Sequence, residues 1–244
     1  HWGFPSESLT YGGQADEVAG EFWNEGDLGN VENKLASSAA HVYGKNRVWA
    51  ESYTAGGKTF ERYPALLKRR GDWSYTEGIN QTLLHLYIHQ PDDDPGPGIN
   101  AWFGTEFNRK NTWFSLADGF IDYIRRNNFM LQQGVSVNDI AYFMGEDAPL
   151  MTGIQVPERP AGYDYDYINA DAILNKVSVE QGYIVLPHGA KYRLLVLPPS
   201  TTMTPEVLEK IDNLIEQGAA VYGNAPERSP SLAGFPIADN RIRM

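Results

Sequence analysis

The chain has 244 residues, 42% of them hydrophobic and 21% charged, with a formal net charge of −11 and no cysteine. This is the composition of a globular protein long enough to bury a full core, and it excludes a disulfide framework and a thiolate zinc site. The acidic balance, with Lys and Arg scattered or paired as at Lys68-Arg69-Arg70, argues against nucleic-acid or anionic-membrane partners, and no run of 18 apolar residues exists to span a bilayer.

His1-Trp2-Gly3-Phe4-Pro5 has no initiator Met, basic region or apolar region, so it does not read as a signal peptide. Residues 237–244 read as stopping without a helix or polar tail, and both ends are expected to be cuts within a larger polypeptide. Residues 1–31 show little regular pattern and read as a long polar loop rich in aromatics, functional in character. Within it Glu21 stands between Gly20 and the pair Phe22-Trp23, where packed rings would partly desolvate it; a carboxylate bonded to loop N–H groups is the plainer alternative. Residues 32–43 read as a helix with Leu35, Ala36, Ala39, Ala40 and Tyr43 on one stripe, ended by Gly44 in a left-handed conformation.

A short strand over 47–54 comes next. Period two places Val48 and Ala50 on one side and Trp49 and Glu51 on the other, and Ala55-Gly56-Gly57 stops it. Glu51 thus sits near a strand's C-terminal end, where a parallel α/β barrel mounts its reacting groups; a solvent-facing edge carboxylate is the alternative. Pro64 opens a further helix expected to reach Gly71-Asp72. Residues 83–88 form a near-continuous apolar run, read as a strand buried on both faces, with His85 structural and His89, at the exit, placed either to hold a substrate hydroxyl or to bond a loop carbonyl. Asp92-Asp93-Asp94 could bind a hard cation, but calcium loops alternate their ligands, and three acids in a row read as a solvated face.

A second aromatic and polar loop over 102–113 leads into a helix over 113–131, with Leu116, Phe120, Ile121, Ile124 and Phe129 at helical spacing and Gly134 beyond its end. Residues 135–143 read as a strand and 169–176 as a short helix; 183–187 and 192–198 read as two more strands. The helix over 205–217 has Thr204 as its cap, Pro205 at its first position and Gly218 at its end, and feeds a strand over 219–223. This strand-helix-strand unit reads as the start of a doubly wound domain, without a Gly-rich phosphate loop.

Several blocks in one order carry a family resemblance. Tyr11-Gly12-Gly13-Gln14, Gly20-Glu21-Phe22-Trp23, Ala50-Glu51-Ser52-Tyr53-Thr54, Gly78-Ile79-Asn80, His89-Gln90-Pro91, Asn111-Thr112-Trp113, Gly162-Tyr163-Asp164 and Val196-Leu197-Pro198 together resemble glycoside hydrolase family 106, the α-L-rhamnosidases, over nearly the whole chain. The resemblance implies an α/β fold: the later part of a (β/α)8 barrel over 1–160, then a linker and the start of a flavodoxin-like domain over 161–244. It implies hydrolysis of terminal α-L-rhamnose with inversion, calcium near the site, and upstream and downstream parts of a larger polypeptide. One catalytic Glu is expected at Glu51 and another in an upstream Asp-Ser-x-Glu motif, which does not occur in this chain.

Inversion needs two carboxyl groups about 6.5 to 9.5 Å apart, one an acid and one a base. On this reading Glu51 is the base, and Glu21 contacts substrate or calcium; a less favoured version pairs Glu21 with Glu51. His89, Trp102, Glu106, Asn108 and Arg109, with Trp23, would shape the sugar pocket through hydroxyl contacts and stacking. The chain's six Trp and fourteen Tyr suit such stacking, as they equally suit a core. The expected partner is a rhamnose-containing glycan of plant type, and the expected location periplasmic or extracellular. A β-galactosidase-like barrel enzyme and a catalytically incomplete carbohydrate-binding fragment are the alternatives.

Overall fold

The computed structural model describes residues 6–27, 30–94, 96–99, 103–104, 106–150, 153 and 155–244. It divides into two compact units, one of Glu17–Ser37 and Asn46–Gly134, the other of residues 6–16, Ser38–Lys45 and Val135–Met244. The last change of unit falls at Gly134 and Val135, ahead of the break expected after residue 160. The reason is that the next strand, over 140–143, pairs only with strands later in the chain.

The elements begin with α1 (Ser8–Gln14), then β1 (Val18–Trp23), α2 (Glu32–Tyr43), β2 (Val48–Thr54), α3 (Pro64–Thr76) and β3 (Gln81–Leu84), with α4 (Asp118–Leu131) after a 3-10 turn at Phe114–Leu116. In the first unit β1, β2 and β3 form a parallel sheet in that order. Residues 1–31 are therefore not an unpatterned loop: they hold α1, whose first N–H groups are accepted by the Glu7 carboxylate, and β1. Two glycines in α1 and a polar sequence in β1 hide both locally, and strand pairing overrides them.

Val18, Phe22, Val48, Ala50, Leu67 and Ile79 are buried in this unit. The ring of Tyr53 joins them, edge-on to Phe22 at 5.1 Å and tilted against Phe107 and Phe120. Helix α3 runs through Gly71 rather than ending there, and the glycine fits that position because a Cβ would lie 2.1 Å from the Tyr53 hydroxyl oxygen. Helix propensity alone makes Gly71→Ala stabilising by about 1 kcal/mol, but overpacking costs about 1–3 kcal/mol. A net loss of up to about 2 kcal/mol in urea unfolding is expected, and a gain would show that α3 is not seated on Tyr53.

Two expected stretches are shorter than their apolar runs. β3 ends at Leu84, and Leu83 is 53% exposed and Tyr87 81%, so the 83–88 run is not a strand buried on both faces. On α4, Phe120 and Ile124 are buried while Leu116, in the turn before it, and Phe129 are exposed.

In the second unit β4 (Ile140–Phe143), β5 (Tyr165–Ile168), β9 (Leu194–Val196) and β10 (Val221–Tyr222) form a parallel sheet in the order β10-β9-β4-β5. Between β5 and β9 come α5 (Ala170–Asn175) and an antiparallel meander of β6 (Ser178–Glu180), β7 (Tyr183–Val185) and β8 (Lys191–Tyr192). The single strand expected over 192–198 is therefore two. Tyr192 closes the meander and Leu194 opens β9, with the Arg193 and Leu194 N–H groups both donating to the Asp139 carbonyl. α6 (Pro205–Glu216) buries Val207, Ile211 and Leu214, and left-handed Gly218 ends it.

Thr204 stands at the N-cap of α6 without capping it through its own side chain. Its N–H and hydroxyl instead donate to the Glu146 carboxylate at 2.7 and 2.6 Å. α7 (Ile237–Ile242) corrects the helix-free ending expected for the last residues.

Asp166 of β5, missed as a strand residue, is fully buried. Asn138, Tyr192 and Ser38 donate to it at 2.6, 3.0 and 3.2 Å, and His41 Nδ1 lies 2.9 Å away. Burial, and then the adjacent Asp166 carboxylate, push the Tyr192 phenol far above its ordinary range, so it stays a donor. This satisfied network is structural, since a buried carboxylate persists only where donors replace its water.

Candidate active site

Strand register assembles the site. Glu21 of β1 lies opposite Glu51 of β2, and Glu51 lies opposite Leu83 of β3. In-register side chains on neighbouring parallel strands share a face, with backbones about 4.8 Å apart, so the two carboxylates stand side by side; Glu51 is the middle residue of β2, which runs on to Thr54, and not its last as expected. Val18, Phe22, Val48 and Ala50 alternate onto the opposite, buried face, as the period-two reading of 48–51 expects. The Glu51 side chain is 38% exposed.

Just beyond Glu51 the ladder bulges. The register shifts between Phe22 and Trp23, so that Trp23 pairs with Thr54 and Tyr53 is the extra residue, at φ 67°. A bulky side chain in that region costs about 1–3 kcal/mol. The aromatic packing of Tyr53 offsets it, together with the Asn24 side-chain amide donating to its carbonyl at 2.9 Å. A bulge re-aims the side chains beyond it: the Thr54 hydroxyl lies 3.0 Å from His85 Nδ1. His85 Nε2 is in turn 3.7 Å from Glu51 Oε1, and its ring stacks on Phe103 at 5.3 Å and 11°.

Trp23 donates its indole N–H to Glu21 Oε1 at 2.8 Å, which orients that carboxylate. Glu21, Glu51 and Trp23 are thus brought together as a group. Glu106 and Asn108 are not part of it. The Glu106 side chain, 1% exposed, accepts from Arg62 at 3.1 Å. Arg62, itself 6% exposed, also donates to Glu25 at 2.6 Å and to the Gly56 and Lys58 carbonyls. Asn108 is buried and accepts from the Gln90 side chain and the Lys110 N–H. Both hold the loops after β2 and β3 rather than offering free polar groups to a sugar. Arg109 is exposed and pairs with Asp93 at 3.2 Å, and His89 is exposed, its carbonyl accepting from the Ile99 N–H. Trp102 lies outside the described residues.

Among the described residues no group of three or more His, Asp or Glu side chains is placed to hold a metal ion.

His85, read from the sequence as structural, stands next to Glu51, with its Nε2 3.7 Å from Oε1. The apolar run around it hid the signal, which is positional: two residues beyond Leu83, the in-register partner of Glu51, period two returns a side chain to the Glu51 face. The His85 N–H donates to the Ser52 carbonyl at 3.0 Å, continuing the ladder to that point.

Residues 1–242 match the family described as alpha-L-rhamnosidase, glycoside hydrolase family 106. A solved rhamnosidase from Novosphingobium sp. PP1Y is similar with a TM-score of 0.86 and 34% identity, over 97% of this chain and 24% of that one. A curated Formosa agariphila protein bearing a provisional β-glucuronidase name is 41% identical over 245 residues, 100% of this chain and 21% of that protein. The chain therefore spans between a fifth and a quarter of the length of either.

Proposed function

We propose, from the premise that this chain belongs to glycoside hydrolase family 106, the α-L-rhamnosidases, that it carries the general base of an inverting rhamnosidase and that Glu51 is that base. The observation behind this is the in-register Glu21 and Glu51 pair on one face of neighbouring parallel strands, with His85 Nε2 3.7 Å from Glu51 Oε1. Inversion works from opposite faces of the sugar ring: the base takes a proton from water as its oxygen attacks the anomeric carbon, while an acid about 6.5–9.5 Å away protonates the departing oxygen. The acid is assigned, as the family resemblance implies, to an upstream Asp-Ser-x-Glu motif outside this chain, and Glu21, oriented by Trp23, to the sugar hydroxyls.

The architecture proposed with this reading has β1, β2 and β3 as consecutive strands of a (β/α)8 barrel, whose rim would seat both acids. The strand order of the second unit, β5-β4-β9-β10, numbers as 2-1-3-4 and supports a flavodoxin-like domain. The substrate proposed is terminal α-L-rhamnose on plant-type glycans.

The name of the Formosa relative supports a second reading, a β-glucuronide substrate. The test is turnover of p-nitrophenyl α-L-rhamnoside and p-nitrophenyl β-glucuronide by the full-length polypeptide, with the first-formed anomer followed by NMR. Rhamnoside turnover releasing β-L-rhamnose first is the expected result. Release of the α anomer would overturn inversion, and turnover of the glucuronide alone would overturn the substrate.

A further inference from the structure

We infer that His85 is the positioning residue for Glu51, held in one tautomer by Thr54 so that its Nε2–H fixes one carboxylate oxygen and leaves the other for the attacking water. This rests on the reading of Glu51 as the base. His85 Nδ1 is 3.0 Å from the Thr54 hydroxyl and Nε2 is 3.7 Å from Glu51 Oε1. A bare Nε2 lone pair facing a carboxylate is repelled, so the arrangement favours the proton on Nε2, with the Thr54 O–H donating to Nδ1.

The ring has little freedom to leave this line. Phe103 stacks flat on it, and Thr54 reaches it only because the bulge at Tyr53 re-aims the end of β2. The gap to Glu51 is roughly 0.8 Å longer than a hydrogen bond of about 2.9 Å. Catalytic hydrogen bonds are often long before substrate binds and close in the complex. A carboxylate held at Oε1 presents Oε2 in a single direction, which matters most when a small water must be aimed at one face of a ring.

The test uses the full-length enzyme and an aryl α-L-rhamnoside, with kcat and KM read separately. His85→Gln can place an amide N–H where Nε2 stood, whereas His85→Asn reaches only as far as Nδ1. His85→Asn is expected to lower kcat about 10- to 100-fold, the range for one hydrogen bond to a charged group, with KM within about threefold; His85→Gln is expected to recover most of the loss. Thr54→Val is expected to lower kcat in the same direction while Thr54→Ser keeps it, an arm that stands even if His85→Asn does not fold. The inference is overturned if folded His85→Asn keeps kcat within about threefold, if Gln and Asn fall equally, or if the loss lies in KM. Glu51→Gln is measured alongside: an active Glu51→Gln defeats the base assignment itself, whereas an inactive Glu51→Gln beside an unaffected His85→Asn defeats only the role of His85.

Discussion

Glu51→Gln in the full-length polypeptide is expected to lower kcat on an aryl α-L-rhamnoside by about 10²- to 10⁴-fold, the usual contribution of a positioned general base, while KM changes by less than about threefold. The amide keeps the volume and planarity of the carboxylate but cannot accept the proton of the attacking water. Loss of an interaction made only in the transition state appears in kcat and not in ground-state binding. The side chain is 38% exposed and approaches His85 no closer than 3.7 Å, so the thermal unfolding of the variant is expected to match that of the parent. Glu21→Gln is the internal comparison. Assigned to sugar hydroxyls, it is expected to act mainly through KM. Equal falls in kcat for both variants would mean that the two carboxylates are the catalytic pair, and a Glu51→Gln enzyme within about threefold of the parent would remove the base assignment.

Arg62→Met is expected to cost about 3–5 kcal/mol of stability, the range for removing one partner of a buried ion pair. Arg62 is 6% exposed and the Glu106 side chain 1%. Without the guanidinium, the Glu106 carboxylate stays buried, and the Gly56 and Lys58 carbonyls lose a donor as well. The Glu25 pairing adds little, because that carboxylate is 52% exposed and water screens it. The double variant Arg62→Met with Glu106→Leu removes both charges and is expected to recover most of the loss. Urea unfolding of the four proteins measures the cycle. A single-variant loss under about 1 kcal/mol would mean that these loops are held by something other than this pair.

Much of this is legible in the order of residues. Helix α6 shows its Pro at the first position, its Val207, Ile211 and Leu214 stripe and its Gly218 stop in the sequence, and the structure reproduces each. The α2 helix with Gly44, and β2 with Val48 and Ala50 opposed to Trp49 and Glu51, are equally plain, because period and punctuation are properties of a few neighbouring residues. β1 and β5 are hidden for the converse reason. Their short polar sequences, Val18-Ala19-Gly20-Glu21 and Tyr165-Asp166-Tyr167, become strands by pairing with β2 and β4, and no local pattern reports a partner some 25 to 30 residues away.

The same division holds at the site. The face that Glu51 occupies can be read from its own strand by alternation, whereas the extension of β2 to Thr54 beyond the bulge cannot. That Glu21 stands beside Glu51, that His85 and not His89 reaches it, and that Glu106 turns to Arg62 instead of a sugar all depend on register and on loops meeting across long separations. A one-residue slip of β1 against β2 would send Glu21 to the buried face without changing any local signal. Hydrophobic period chooses the element; the hydrogen-bond ladder between elements chooses which side chains meet.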